Sequence, residues 1–191
     1  GGTITGIAYY ISGLPQGTGF PMDNLIIRLR QTAQPVLLPT FNNAPGWTIC
    51  YSSPTYIPIT GWYTFAFTTP FTYNSLSGTP NLLVDVSFDN YANAGEPYLV
   101  YTVPTAAPRT LTFACDDCPC GGPDPLHWTT CSGVPPFGGP MLLLEVPRVQ
   151  FLFGDGGPTG ACCATNGACT VTTPAGTATS GFEITQVTQP G

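Results

Sequence analysis

Hydrophobic and polar residues alternate along much of this chain with a period of two. In "NLIIRLRQT", 24–32, Leu25, Ile27 and Leu29 face one way, and Ile26, Arg28 and Arg30 the other. In "GWTICYS", 46–52, Trp47, Ile49 and Tyr51 alternate. In 61–68, Tyr63, Phe65 and Phe67 alternate with Trp62, Thr64, Ala66 and Thr68. In 82–89, Leu82, Val84, Val86 and Phe88 alternate with Leu83, Asp85, Ser87 and Asp89. A strand turns successive side chains to opposite faces, so each run reads as a half-buried strand. The last two runs are joined by "TPFTYNSLSGTP", read as a long connection. Further strand-like runs are 3–12, 96–103, 109–114, 141–146 and 148–153, and no helix-period segment exceeds a turn or two.

Strands at this spacing predict an all-β fold, a jelly-roll-like two-sheet sandwich. Period two assigns Tyr63, Phe65, Phe67, Leu82, Val84, Val86 and Phe88 to its interior. The opposite face of the same two strands shows Thr, Asp and Ser, with Trp62 and Leu83 as its large apolar members. At "GDGGPTG", 154–160, the pattern gives way to a Cys-rich, Thr-rich stretch that ends in a strand-like "FEITQVT". The predicted organisation is a β-sandwich domain over 1–153 and a C-terminal extension over 154–191.

Composition sharpens this picture. Among 191 residues there are 23 Gly and 22 Pro, which break helices, and only 7% are charged, against roughly 25% in an average soluble domain. Lysine is absent, and the four arginines leave a net charge of −6. So few cations cannot track a phosphate backbone, which argues against a nucleic-acid partner. No apolar run approaches the roughly 20 residues of a membrane-spanning helix. The Gly-Gly start reads as a processed chain.

The cysteines are Cys50, Cys115, Cys118, Cys120, Cys131, Cys162, Cys163 and Cys169. An even number in loop-like sequence suits disulfides and an extracellular or cell-surface location. Cys115, Cys118, Cys120 and Cys131 could pair in three ways, or form a zinc site, and disulfides are the preferred reading. Cys162 and Cys163, being adjacent, should reach different partners, with Cys169 and Cys50 as candidates. Asp85, Asp89, Asn90 and Glu96 are weak candidates for a structural calcium, because hard cations take loop oxygens; Asx-turn chemistry is the simpler use of them. The single histidine, His127, lies in a Pro/Gly/Cys-rich loop without a G-x-S-x-G context, and no carboxylate pair is marked out, so no catalytic residue and no enzymatic activity are expected. Carbohydrate binding needs exposed aromatics, for which Trp62 and Trp128 are the first candidates and Tyr73 and Tyr91 the next.

"GW-x-x-F-x-F-x-x-PF-x-Y" followed by "NLLVDVSFDN" resembles a β-sandwich domain of secreted and surface proteins of planctomycete-type bacteria. "GGTITGIAYYI" and "NLIIRLRQT" are similar to the opening strands of that family, and the resemblance covers about residues 1–153. "GACCATNGACTVTT" is similar to short GACC-type repeats of such proteins, which carry further cysteines downstream where "PAGTATSGF" has none. The resemblance implies a surface or extracellular role and no defined enzymatic activity. It also implies a further strand ahead of the Gly-Gly with which this chain opens. A sandwich short of a strand leaves an apolar groove between unpaired edges. The terminal strand, about Gly181 to Thr188, could fill such a groove in a neighbouring subunit. On this reading the protein is an extracellular structural subunit of a head-to-tail filament or surface array, a homopolymer. Phe182, Ile184 and Val187 are the donor residues, and the strand carrying Ile4, Ile7, Tyr9 and Ile11 is the acceptor. The alternative is a carbohydrate-binding or adhesion module that binds extracellular glycans through Trp62 and Trp128.

Overall fold

The computed structural model describes residues 1–13, 21–39, 44–74, 76–89, 99–112, 141–154, 161–163, 168–173 and 176–186, the last three segments, Asp89 and Leu99 by their backbone. The described elements are all strands: β1 (Gly2–Gly13), β2 (Met22–Thr32), β3 (Thr48–Tyr56), β4 (Gly61–Tyr73), β5 (Asn81–Asp89), β6 (Leu99–Val100), β7 (Thr102–Pro104), β8 (Thr110–Thr112), β9 (Met141–Leu143), β10 (Glu145–Pro147), β11 (Val149–Phe153), β12 (Ala161–Cys163), β13 (Ala168–Thr173) and β14 (Gly176–Gln186). Among the described residues no helix is long and apolar enough to cross a membrane.

Two sheets form the sandwich. One has the order β11-β1-β4, with β6 pairing the end of β1; the other has the order β12-β13-β14-β5-β2-β3, with β8 and β9 joined to it through β14. A two-stranded piece, β7 with β10, stands beside them. The chain crosses repeatedly from one sheet to the other, as a jelly roll does. Between the sheets lies one apolar core, whose centre includes Ile4, Ile7, Leu25, Ile27, Leu29, Leu82 and Val84, all with no exposed surface. The interior expected from period two is found: Phe65, Leu82, Val84, Val86 and Phe88 are buried there, with Tyr63 and Phe67 packed against them.

Bulges correct the alternation where it fails. Ile4 and Ile7 are an odd number of residues apart, yet both are buried, because the register of β1 shifts between Ile4 and Gly6. An extra residue in one strand reverses the facing of the residues after it. The skipped residue, Thr5, donates its hydroxyl to the Leu152 carbonyl at 3.3 Å. Opposite it, β4 pairs Ala66 with Gly6 and Phe71 with Ile4, so Phe67 to Pro70 bulge out. Pro70 has no N–H to donate and is tolerated in such a bulge. The strand thus continues to Tyr73, into what the sequence suggested was connection. Asn24, at φ 52°, lies where β2 shifts register against β5, a left-handed conformation that asparagine tolerates better than most residues.

A third bulge corrects the reading of 46–52. Ile27 pairs with Tyr51 and Arg28 with Ile49, leaving Cys50 unpaired between them. Ile49 is therefore exposed, and Cys50 is the buried residue. Cys50 is a free thiol that donates to the Thr48 carbonyl at 3.4 Å, so the disulfide expected at this position is not formed. Burial pushes its pKa up to about 11, against a smaller lowering by a hydrogen bond with the Leu29 backbone. The folded state thus holds this proton more tightly than the unfolded chain. The associated stability is complete below pH 9 and is lost as pH rises towards 11. Mapping of alkylated peptides at pH 8 is expected to find Cys50 unmodified in the native protein and modified after denaturation; labelling of the native thiol would contradict its burial.

Gly6 is required by close approach. A Cβ there would sit 2.9 Å from the Phe65 backbone oxygen. Gly6→Ala is expected to destabilise the sandwich by about 1–3 kcal/mol, lowering Tm by roughly 2–4 °C per kcal/mol. Gly78→Ala, where a Cβ meets nothing within 4 Å, is the control and should leave the thermal unfolding curve unchanged.

Candidate functional site

The terminal strand β14 is built into the sheet of its own chain. Its first half pairs antiparallel with β13, from Gly176 opposite Thr173 to Gly181 opposite Ala168. Its second half runs parallel to β5, in the register Phe182 with Leu82, Glu183 with Leu83, Ile184 with Val84, Thr185 with Asp85 and Gln186 with Val86. On the other side, Ile184 and Thr185 pair parallel with Thr110 and Leu111 of β8. β14 therefore occupies a slot with β5 as one wall and β8 as the other. Among the described residues it is the only strand that joins the β3-β2-β5 part of the sheet to the β8-β9 part. Phe182 and Ile184 hold register positions beside Leu82 and Val84, the core-facing residues of β5. Val187 lies outside the described residues.

The expected acceptor differs. β1, with Ile4, Ile7, Tyr9 and Ile11, has β4 along one side and β11 along the other. Its four residues are interior: Ile4 and Ile7 are fully buried, and Tyr9 and Ile11 nearly so. The strand that continues the sheet past β1 is supplied by β11, so the apolar groove expected beside it is already filled. Burial, with a smaller contribution from the charge of Asp85, raises the pKa of the Tyr9 hydroxyl well above the usual phenol value.

The outward face of β5, read as polar and open, is closed. Leu83 belongs to a second small core with Leu37 and Leu111, against which Trp47 and Leu142 pack. Asp85 has no exposed surface and Ser87 almost none. Arg28, the cross-strand partner of Asp85, is itself only 4% exposed. It donates through Nη1 to Asp85 Oδ2 at 2.5 Å and to Ser87 Oγ at 3.0 Å. Ser87 in turn donates to Asp85 Oδ2 at 3.1 Å. Asp85 is thus the counter-charge of a buried arginine and not a calcium ligand: a second cation there would meet the guanidinium. Of the other calcium candidates, Asp89 is a strand residue registered with Asp23, and Asn90 and Glu96 lie outside the described residues. Among the described residues no group of three His, Cys, Asp or Glu side chains could hold a metal ion. The chemistry of the sequence did not reveal this pair, although Arg28 and Asp85 both sit in period-two runs; what was missing was the register that sets them opposite each other.

Of the remaining cysteines, Cys163 and Cys169 are register partners across β12 and β13, and Cys162 is opposite Thr170. Cys115, Cys118, Cys120 and Cys131 lie outside the described residues, as do His127, Trp128 and Tyr91. Tyr73 is buried and donates its hydroxyl to the Pro80 carbonyl at 2.7 Å, so it is not a surface platform. Trp62 is 37% exposed and stands edge-to-face with Tyr10 at 5.5 Å between ring centres.

No protein-family model, curated protein or solved structure matches this chain.

Proposed function

We propose that this protein is an extracellular structural subunit that assembles head-to-tail, each copy placing its β14 in the β5–β8 slot of the next. The supporting observation is the parallel seating of β14 in a slot that divides a sheet. The strand is the last of the described strands in chain order, so it can be withdrawn without unthreading the others. An identical slot on a second copy offers the same backbone partners and the same register. Exchange between copies then changes no contact within the slot; it changes only which chain supplies the strand. The self-filled form is the unassembled subunit, and the strand-exchanged form is the polymer.

Mass action sets the balance. Self-insertion competes with an effective concentration fixed by the tether, in the millimolar range for a short flexible one. Assembly therefore requires crowding, a surface, or a tether that disfavours closure. A heterologous contact that does not close into a ring propagates as a filament. Main-chain pairing supplies the affinity and alternate side chains the register, as in other strand-addition complexes. Negative-stain electron microscopy of concentrated native protein, without denaturant or reductant, is expected to show regular filaments with a repeat about one domain long. Single compact particles at all concentrations would overturn the reading.

A further inference from the structure

A rigid cluster of one arginine and three aromatic rings stands on the outer face of the β11-β1-β4 sheet, and neither the core nor the β14 slot uses it. The Arg148 guanidinium carbon lies 5.4 Å from the centre of the Trp62 ring and 5.8 Å from those of Tyr10 and Tyr101. Tyr10 meets both Trp62 and Tyr101 edge-to-face. The backbone fixes the arrangement. Tyr10 N–H donates to the Arg148 carbonyl at 3.3 Å, Arg148 N–H to the Tyr101 carbonyl at 2.7 Å, and Tyr101 N–H to the Tyr10 carbonyl at 3.0 Å, a closed ring of three bonds. Trp62 is the register partner of Tyr10 across β1 and β4.

The charges differ from those elsewhere in the molecule. Arg28 is buried against Asp85; Arg30 donates to the Ala44 carbonyl and Arg109 to the Pro35 carbonyl. Arg148 is exposed, and among the described residues it makes no ion pair. Glu145, close by in sequence, accepts from the Thr102 hydroxyl instead. No residue of β1, β4 or β11 is charged, so Arg148 supplies the charge of this face. Beside the cluster the sheet carries short or neutral groups: Ala8, with Thr64 on one flanking strand and Gln150 on the other as its register partners.

We propose that this face binds an acidic polysaccharide, with a carboxylate or sulfate on the Arg148 fork and the apolar face of a pyranose on Trp62. Cation–π contact with the three rings holds the guanidinium in place, and its N–H groups can give two parallel hydrogen bonds to an oxyanion. Pre-organisation of this kind removes an ordering cost from binding. The exposed Trp62 and Tyr101 rings suit the C–H face of a sugar, and Thr64 and Gln150 suit its hydroxyls. This site is separate from the β14 slot and does not depend on strand exchange.

Isothermal titration of the full chain with a galacturonate oligomer and with a neutral cello-oligosaccharide tests it. The acidic oligomer should bind, more weakly as salt is raised, and the neutral one at least about tenfold more weakly, the loss of one charge-assisted contact. Arg148→Gln and Trp62→Ala should each weaken the acidic oligomer about tenfold or more in protein that circular dichroism shows to be folded, and Arg148→Lys should restore only part of it. No binding of the acidic oligomer, equal binding of the neutral one, or binding indifferent to Arg148→Gln and Trp62→Ala would each overturn the proposal.

Discussion

Arg28→Ala is expected to destabilise the fold strongly. The substitution strands the Asp85 carboxylate, which has no exposed surface, beside an emptied guanidinium site. Removing one partner of a buried ion pair costs about 3–5 kcal/mol, because the remaining charge is neither solvated nor countered. Domains of this size are stable by about 5–15 kcal/mol, so the loss takes a large share of the total. Ser87 also loses the donor to its hydroxyl oxygen. The double replacement Arg28→Met with Asp85→Leu should recover most of the stability, since it removes both charges and keeps apolar volume beside the Leu83 cluster. Chemical denaturation followed by circular dichroism distinguishes the cases. A single Arg28→Ala variant as stable as the parent would show that the pair does not carry a buried charge.

Deletion of residues 176–191 is expected to have the second large effect, on assembly and on the sheet together. Without β14, the edges of β5 and β8 lose their pairing, and Leu82, Val84 and Val86 lose the strand at whose register they stand. An open edge of this kind pairs with whatever strand is offered and favours aggregation. Filaments should be absent, and the truncated chain should bind a synthetic peptide covering residues 180–188 that the intact chain does not. Replacing Ile184 by Pro within the peptide should abolish that binding, because Ile184 pairs on both sides and proline removes a backbone donor. Filaments formed by the truncated chain at normal yield would refute strand exchange as the means of assembly.

How far the sequence discloses this architecture depends on the strand. β2, β5 and the first half of β4 were legible because their alternation is unbroken across the buried core: Leu25, Ile27 and Leu29 lie on one face, and Ile27 and Leu29 stand opposite Val86 and Val84 as period two requires. β1 and β3 were legible as strands but not in their facing, because bulges at Thr5 and Cys50 reverse parity, and a bulge leaves no fixed signature among ordinary strand residues. The outward face of β5 was misjudged because alternation shows that two faces differ, not that one of them is wet; Leu37, Trp47 and Leu111 arrive there from distant segments. The terminal strand was recognised from "FEITQVT", but its acceptor was not, since pairing over such a distance in sequence is set by topology. The Arg148 cluster had one visible member, Trp62. Tyr10, Tyr101 and Arg148 come from three segments joined only by the backbone bonds of the fold.

The parallel pairing of β14 with β5 also bears on how quickly the molecule reaches its final state. Phe182 pairs with Leu82, a separation of 182 − 82 = 100 residues, and long-range pairings are the slow ones in folding. β14 is also synthesised after every other strand described. Under the proposed strand exchange, a strand from a neighbour that arrives before the chain's own β14 would compete with it for the place beside β5. Timing at the site of release would then act beside mass action in setting the proportion of linked to self-closed molecules.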